Sequence, residues 1–451
     1  MATVAAGASL YVNASTGDDS RSKVQAASPS TPWATLGRAV WGSTNRAAPN
    51  ASEAASAGDV VSVAAGTYTD GTGTRNRFDV WYNPVNSGTS GNLITFQGYV
   101  SEPLTEGPVA NSVVLRLTSG TGPVIGSDGK DYIKWVGFNI DELNASPTLD
   151  TGSVVLHNCT GCEIQYCQIK GDPDLNPVTQ DNHCGIRCED ARFYTLSWNR
   201  LWNFGLYSTY EQPNSCGIQT YDSHDGLIEH NLCYRNGVGI FIKGQHQGFS
   251  QADITIRYNA VREYYANAIQ LLTVTRCYTY QNLVYNGVGA GSSPGVKIGQ
   301  GSPVDVYVVN NTIDGGVVGI QYHDCADATG AAQNNLVSNQ GYAAIWSDTI
   351  PAPPVNMTPW DRNDYSSNTR HFEGSSNGVE TFAQWQANYS VDANGITTDP
   401  QYVNAASRDY HLQGGSPAST LGRTMTVIHG SQDVTIPAGC YITSTETMGV
   451  G

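Results

Sequence analysis

One short phrase keeps returning between residues 185 and 346: a glycine, twice replaced by alanine, then a β-branched residue, a few alternating residues and an asparagine. Its first half stands at Gly185-Ile186, Gly217-Ile218, Gly239-Ile240, Ala268-Ile269, Gly295-Val296, Gly319-Ile320 and Ala344-Ile345, at intervals of 32, 22, 29, 27, 24 and 25 residues. Its second half stands at Asn199, Asn231, Asn259, Asn282, Asn311 and Asn335. Strand-like alternation repeated every 20 to 30 residues or so, without helical periodicity, is the signature of a β-solenoid in which each repeat is one coil. The repeat overrides length: 451 residues would otherwise suggest about three globular domains.

The strand period of two sorts the side chains. Ile186, Ile218, Ile240, Ile269, Val296 and Ile320 form one inward column, and Cys188, Thr220, Ile242, Leu271, Ile298 and Tyr322 the next. Arg187, Gln219, Phe241, Gln270, Lys297 and Gln321 point outward, followed by Glu189, Tyr221, Lys243, Leu272, Gly299 and His323. The asparagines are expected to form an internal turn ladder, because Asn tolerates left-handed backbone and its amide can bond the same amide one coil away.

Over about residues 10–420 the pattern resembles the right-handed parallel β-helix superfamily, whose members include pectate lyases, phage tailspikes and other virion proteins. The resemblance implies an all-β chain: an N-terminal strand and capping helix (1–57), a right-handed parallel β-helix with loop insertions (58–420) and a C-terminal β appendage (421–451). Gly58-Asp59-Val60-Val61-Ser62-Val63 with Gly66-Thr67-Tyr68 resembles the first coil of many such proteins. Asp399-Pro400-Gln401-Tyr402 through Gly415-Ser416-Pro417 resembles their closing segment and reads as the last coil. Helices are expected near residues 33–41 and 379–389, and strands near 424–428, 434–436 and 441–443.

A formal charge of −16 argues against nucleic acid and anionic membranes, which demand basic surface. No run of 18 apolar residues suggests a membrane span, and the first residues lack the pattern of a signal peptide. Seven of ten cysteines fall within residues 159–233. Cys159-x-x-Cys162 with Cys184 and Cys188 is not a clean zinc spacing. Cys184 and Cys216 should stack, either as thiols or as a disulfide, and packing as small hydrophobes favours thiols.

A lyase acting on uronates needs a base for the proton α to the carboxylate, and a cation to neutralise that carboxylate. Lys243 closes Gly239-Ile240-Phe241-Ile242-Lys243, which resembles the segment carrying the catalytic lysine in family 9 pectate lyases. Asn236-Gly237-Val238 lacks the aspartates of that family. Arg187 and Lys297 are the candidate helpers, and Asp222 and Asp225 the candidate calcium ligands, calcium being the one cofactor considered. His224 and His246 lie in loops, the first flanked by Asp222 and Asp225, where a His-Asp pair could serve as acid and base; Asp172 with Asp174, or Asp222 with Asp225, could form a glycosidase carboxylate pair, and Glu211 stands nearby in sequence only. The motifs of β-helix polygalacturonases and alginate epimerases are absent. Gln219, Tyr221, Phe241, Gln270, Gln321 and His323 suit a sugar or another protein.

The leading expectation is a virion-associated or surface-exposed structural protein of the tailspike or capsid-decoration kind, glycan-binding, homo-oligomeric and partnered by other virion or surface subunits. The alternatives are a polysaccharide lyase with Lys243 as base and a non-catalytic carbohydrate-binding module.

Overall fold

The structure, a computed structural model, describes residues 7–72, 76–98, 112–119, 122–141, 152–171, 183–205, 214–244, 251–289, 291–349, 354, 356–375, 378–422, 425–427, 432–434 and 438–440. The chain divides into two compact units, residues 1–206 with 214–227 and 451, and residues 207–213 with 228–450. Each is a stack of parallel strands in three columns.

In the first unit, one column begins at Ser9–Val12 and continues through Val60–Val63, Ile94–Gln97, Ile133–Val136, Glu163–Gln165 and Thr195–Ser197. Its register places Leu10, Val61, Phe96, Trp135, Ile164 and Leu196 one above another, all sealed from water. The Phe96 and Trp135 rings stack at 4.3 Å. Burying each such side chain contributes about 2 kcal/mol, which is why the period-two pattern dictates the wall. Another column runs through Ile125–Asp128, Gly152–Thr160, Cys184–Arg192 and Cys216–Tyr221, and it stacks Ile125, Val154, Ile186 and Ile218.

The capping helix is shorter than expected, Leu36–Trp41. Asp19 holds it back: its carboxylate accepts the backbone N–H of Ala34 and Thr35, so the chain turns helical only after Thr35 caps Arg38 N–H. Asp59 of the Gly-Asp pair has a structural task of the same kind. It accepts Ala8 N–H at 2.8 Å and Ser56 N–H at 2.8 Å, and it pairs with Lys23, pinning the first strand to the second.

The second unit repeats the plan. Ile240, Ile269, Val296, Ile320, Ile345 and Phe372 share one inward file, and Ile242, Leu271, Ile298 and Tyr322 the next. The small residue opening each phrase is required by crowding. A Cβ on Gly319 would lie 2.3 Å from Val337 Cγ1 and 2.5 Å from the Ala344 carbonyl.

The asparagine ladder is present in this unit, and it continues past Asn335. Asn231, Asn259, Asn282, Asn311, Asn335 and Asn363 each donate a side-chain N–H to the next Oδ1 at 2.8–3.1 Å, ending on Asp392. The left-handed conformation belongs one residue earlier than expected, to His230, Tyr258, Gln281, Asn310, Asn334 and Arg362. The amide bonds two ways across the turn, holding those residues in a conformation that costs about 1–2 kcal/mol each.

The closing segment differs from the expected last coil. Tyr402–Asn404 and Asp409–Leu412 form an antiparallel hairpin, and its tyrosines lie against the coils, Tyr410 O–H bonding Asp314 at 3.0 Å. The last parallel strand among the described residues is Phe372–Gly374, followed by an antiparallel strand and the helix Phe382–Tyr389, and a single parallel bridge joins Ile396 to Asp364 beyond it. Met425–Val427 and Gln432–Val434 pair antiparallel, while Ala438 and Cys440 pack on the unit's own coils. The strand expected at 441–443 lies outside the described residues.

All ten cysteines are buried as thiols, none of them in a disulfide among the described residues. Cys184 and Cys216 are cross-strand neighbours whose thiols bond Gln219 Oε1 and the Asn214 carbonyl instead of each other. Burial pushes the Cys167 thiol up to about 12. A thiol reagent is therefore expected to label none of the ten in the native protein and all ten in denaturant; labelling of the native fold would mean that the coils open.

Candidate functional site

Strand register decides which of the outward side chains meet. In the second unit Phe241, Gln270, Lys297, Gln321, Trp346 and Glu373 occupy successive rungs of one column, and Lys243, Leu272, Gly299 and His323 of its neighbour. Most of this face is not open to water as expected. Phe241, Gln270, Leu272 and Gln321 are buried, because the polar members bond sideways. Asn267 donates to Gln270 Oε1 at 2.7 Å, and Gln321 donates to Asp348 Oδ2 at 2.9 Å.

The face opens around Lys297, His323, Trp346 and Asp348, all half-buried. His323 Nδ1 lies 2.8 Å and 2.9 Å from the two Asp348 oxygens, and its Nε2 is 3.6 Å from Asp324. Since a carboxylate only accepts, the Asp348 contact places a proton on Nδ1 and fixes the ring. Burial pulls the Lys297 amine below the usual lysine range, against the opposing fields of Asp348 and Asp324. It makes no hydrogen bond or ion pair among the described residues.

Beyond Gln321, the half-buried Trp346 ring meets Tyr342 edge-on at 5.6 Å. The Arg370 guanidinium lies over Tyr342 at 4.4 Å and pairs with Glu373. An amine, a fixed imidazole, an indole and a guanidinium thus follow one another along about three rungs, roughly 14 Å at 4.8 Å per rung. That composition fits a proton transfer on a sugar chain.

Sequence reasoning found Lys297, Gln321 and His323 but missed Asp348 and Trp346. The signal was there: Asp348 follows His323 by 25 residues, the same interval that separates Gly319 from Ala344. Lys243 is not brought to this cluster, standing three rungs from His323 in its own column.

The candidates of the first unit form a different arrangement. Arg187 is buried and paired with Glu189 at 2.8 Å, and it lies 4.9 Å from the Tyr221 ring centroid. Gln219 donates to Tyr221 O–H at 3.3 Å, and Arg77 reaches Glu189 at 3.2 Å. The proposed carboxylate-neutralising arginine is therefore committed to an internal ion pair. Asp222 is buried and Asp225 half-buried, both in left-handed turns. Among the described residues no group of three or more His, Cys, Asp and Glu could hold a metal ion, so these two aspartates have no third ligand of that kind. Nearby, His157 bonds Asp128 at 2.7 Å and stacks on Phe78, and burial raises the Asp190 carboxyl. His224 is half-buried beside Arg192, whereas His246, Asp172, Asp174 and Glu211 lie outside the described residues.

Residues 136–313 match the family model described as "Right handed beta helix region". The Bacillus subtilis (strain 168) protein YwoF is 25% identical over 221 residues, 46% of this chain and only 41% of that relative's own length. Among solved structures, pectate lyase Pel9A is similar at 12% identity and a TM-score of 0.47, with 97% of each chain covered. The Azotobacter vinelandii mannuronan C-5 epimerase AlgE4 A-module is similar at 11% identity and 0.45, covering 75% of this chain and 91% of that one. PfbA, a surface adhesin of Streptococcus pneumoniae, is similar at 11% and 0.39, covering 70% and 84%.

Proposed function

We propose, for a parallel β-helix chain of which residues 136–313 match the right-handed β-helix family model, that its second unit cleaves an acidic polysaccharide by β-elimination, with Lys297 as the base. One observation carries this reading: a lysine held below its usual range by burial, without an ion-pair partner among the described residues, opens to solvent beside an imidazole fixed by a carboxylate. A surface lysine serving only solubility would keep its full charge in water.

The steps follow from the groups present. Neutral Lys297 takes the proton α to the uronate carboxylate. The electron pair left on that carbon forms a double bond to its neighbour, the bond to the glycosidic oxygen breaks, and the leaving oxygen takes a proton from the His323 imidazolium. Asp348 supports that imidazolium from the Nδ1 side. The ammonium of Lys297 then returns its proton through solvent, and no water is consumed. Trp346 offers a ring face to a sugar one subsite on.

The test is a panel of uronate polysaccharides followed by the ultraviolet absorbance of unsaturated products. Lys297→Ala should lower the rate about 10³-fold and Lys243→Ala less than about tenfold; the reverse order would move the base to Lys243. If every polysaccharide stays intact, catalysis falls. The structural reading, a virion or surface rod that displays or binds glycans, would then take its place.

A further inference from the structure

The first unit contains a cavity of about 750 Å³ between the capping helix and the segment around Trp81, within the range of small-ligand sites, about 300–1,000 Å³. Trp41, Trp81, Arg46, Asn45, Thr44 and Lys130 are among the residues that line it. Nothing in the catalytic reading uses it.

Ring contacts and an ion pair hold its walls. Trp41 stacks on Tyr82 at 5.8 Å and meets Trp81 edge-on at 5.5 Å. Arg46 lies 5.5 Å over the Trp81 ring, bonds the Val80 carbonyl at 3.0 Å and pairs with Asp79. The buried Trp41 indole N–H has no hydrogen-bond partner among the described residues. Lys130 is half-buried and makes no ion pair among the described residues. Lys130 thus brings an ammonium without an ion-pair partner among the described residues to the same cavity as two indoles.

We propose that this cavity binds an acidic sugar, a uronate residue of an oligosaccharide, with its ring against the tryptophans and its carboxylate on Lys130. Apolar C–H faces suit indole, and exposed Asn45 and Thr44 suit hydroxyls. A phosphate-bearing ligand fits less well, because the donors at the start of the adjacent helix are already taken. Asp19 accepts the Ala34 and Thr35 N–H groups and the Thr35 hydroxyl, and Thr35 accepts Arg38 N–H. The site would anchor a chain without cleaving it. The choice of an acidic sugar rests in part on the proposed function, but binding here does not require catalysis at Lys297.

Titration calorimetry and tryptophan fluorescence on the full chain, with oligogalacturonate, oligomannuronate and hyaluronan oligosaccharides as probes, test the assignment. Neutral cello-oligosaccharides and pyrophosphate serve as controls. At least one acidic oligosaccharide should bind wild type and Lys297→Ala equally and quench the indole emission. Trp81→Ala and Lys130→Met, each with a wild-type circular dichroism spectrum, should weaken that binding at least tenfold. Rescue by Lys130→Arg would assign the loss to charge. The proposal is overturned if no acidic oligosaccharide binds, if cello-oligosaccharides or pyrophosphate bind as well, or if Lys297→Ala abolishes binding while Lys130→Met leaves it unchanged. Intact binding with no cleavage anywhere would sink the lyase and leave this site standing.

Discussion

Asn311→Leu is expected to destabilise the protein by about 5 kcal/mol or more, enough to abolish a cooperative transition near room temperature. Asn311 stands in mid-ladder, sealed from water. Its Oδ1 accepts the backbone N–H and the side-chain N–H of Asn282, both at 3.0 Å, and its Nδ2 reaches the carbonyls of Thr279 at 2.9 Å and Val309 at 3.2 Å. Leucine removes all of these bonds. The Asn282 backbone N–H is left stranded in a dry interior, which alone costs about 1–3 kcal/mol, and Asn310 loses the bonds that hold its left-handed turn. Chemical denaturation followed by circular dichroism measures the effect, with Asn388→Leu, a residue outside the ladder, as control. A shift of less than about 1 kcal/mol would reduce the ladder to decoration.

The second large effect is on pH. His371 is ringed by Tyr365, Phe382 and Trp385, its two nitrogens are buried without partners among the described residues, and burial lowers it from 6.5 to about 3. Between those values the unfolded chain binds a proton that the folded chain refuses. Stability is therefore whole above about pH 6.5 and falls by roughly 4–5 kcal/mol by pH 3. Asp364 works in the opposite sense. Burial, with Asp399 adding to it, raises its carboxyl from 3.8 to about 8. The folded chain keeps that proton after the unfolded chain has lost it, so stability is whole below about pH 4 and falls by about 5–6 kcal/mol by pH 8. Asp392, raised from 3.8 to about 6 by burial, adds to this second slope. Denaturation midpoints should rise at pH 8 and hardly move at pH 4 in Asp364→Asn, and rise at pH 4 but not at pH 8 in His371→Phe. Equal shifts at both pH values in either variant would refute the assignment.

The coil period, the inward files and the asparagine column are legible in the residues because each rests on a rule of spacing. Side chains two apart share a wall, and side chains one period apart share a file. What spacing cannot reveal is how far a nominally outward residue is covered. Arg187 and Lys297 occupy equivalent places in the phrase, yet one is sealed into an ion pair with Glu189 and the other remains half-open. The partner makes the difference: Glu189 lies two residues from Arg187 on the same strand, while the residue at the corresponding distance from Lys297 is Gly299. The hairpin at residues 402–412 was misread for a related reason. Two short strand-like segments suit a coil and a hairpin equally, and the antiparallel pairing of Tyr402 with Leu412 and Asn404 with Asp409 separates the two.

The ladder also has a direction. Each amide hands its hydrogens to the next oxygen toward Asp392, which accepts from Asn363, Tyr365 and Trp385 and has no hydrogen to pass on. The amide dipoles consequently add head to tail, with an anion at their positive end. That carboxylate acts as a full stop in a sentence of amides, so a coil can be spliced in or cut out anywhere upstream of it, whereas one grafted downstream would meet a terminus that cannot be extended.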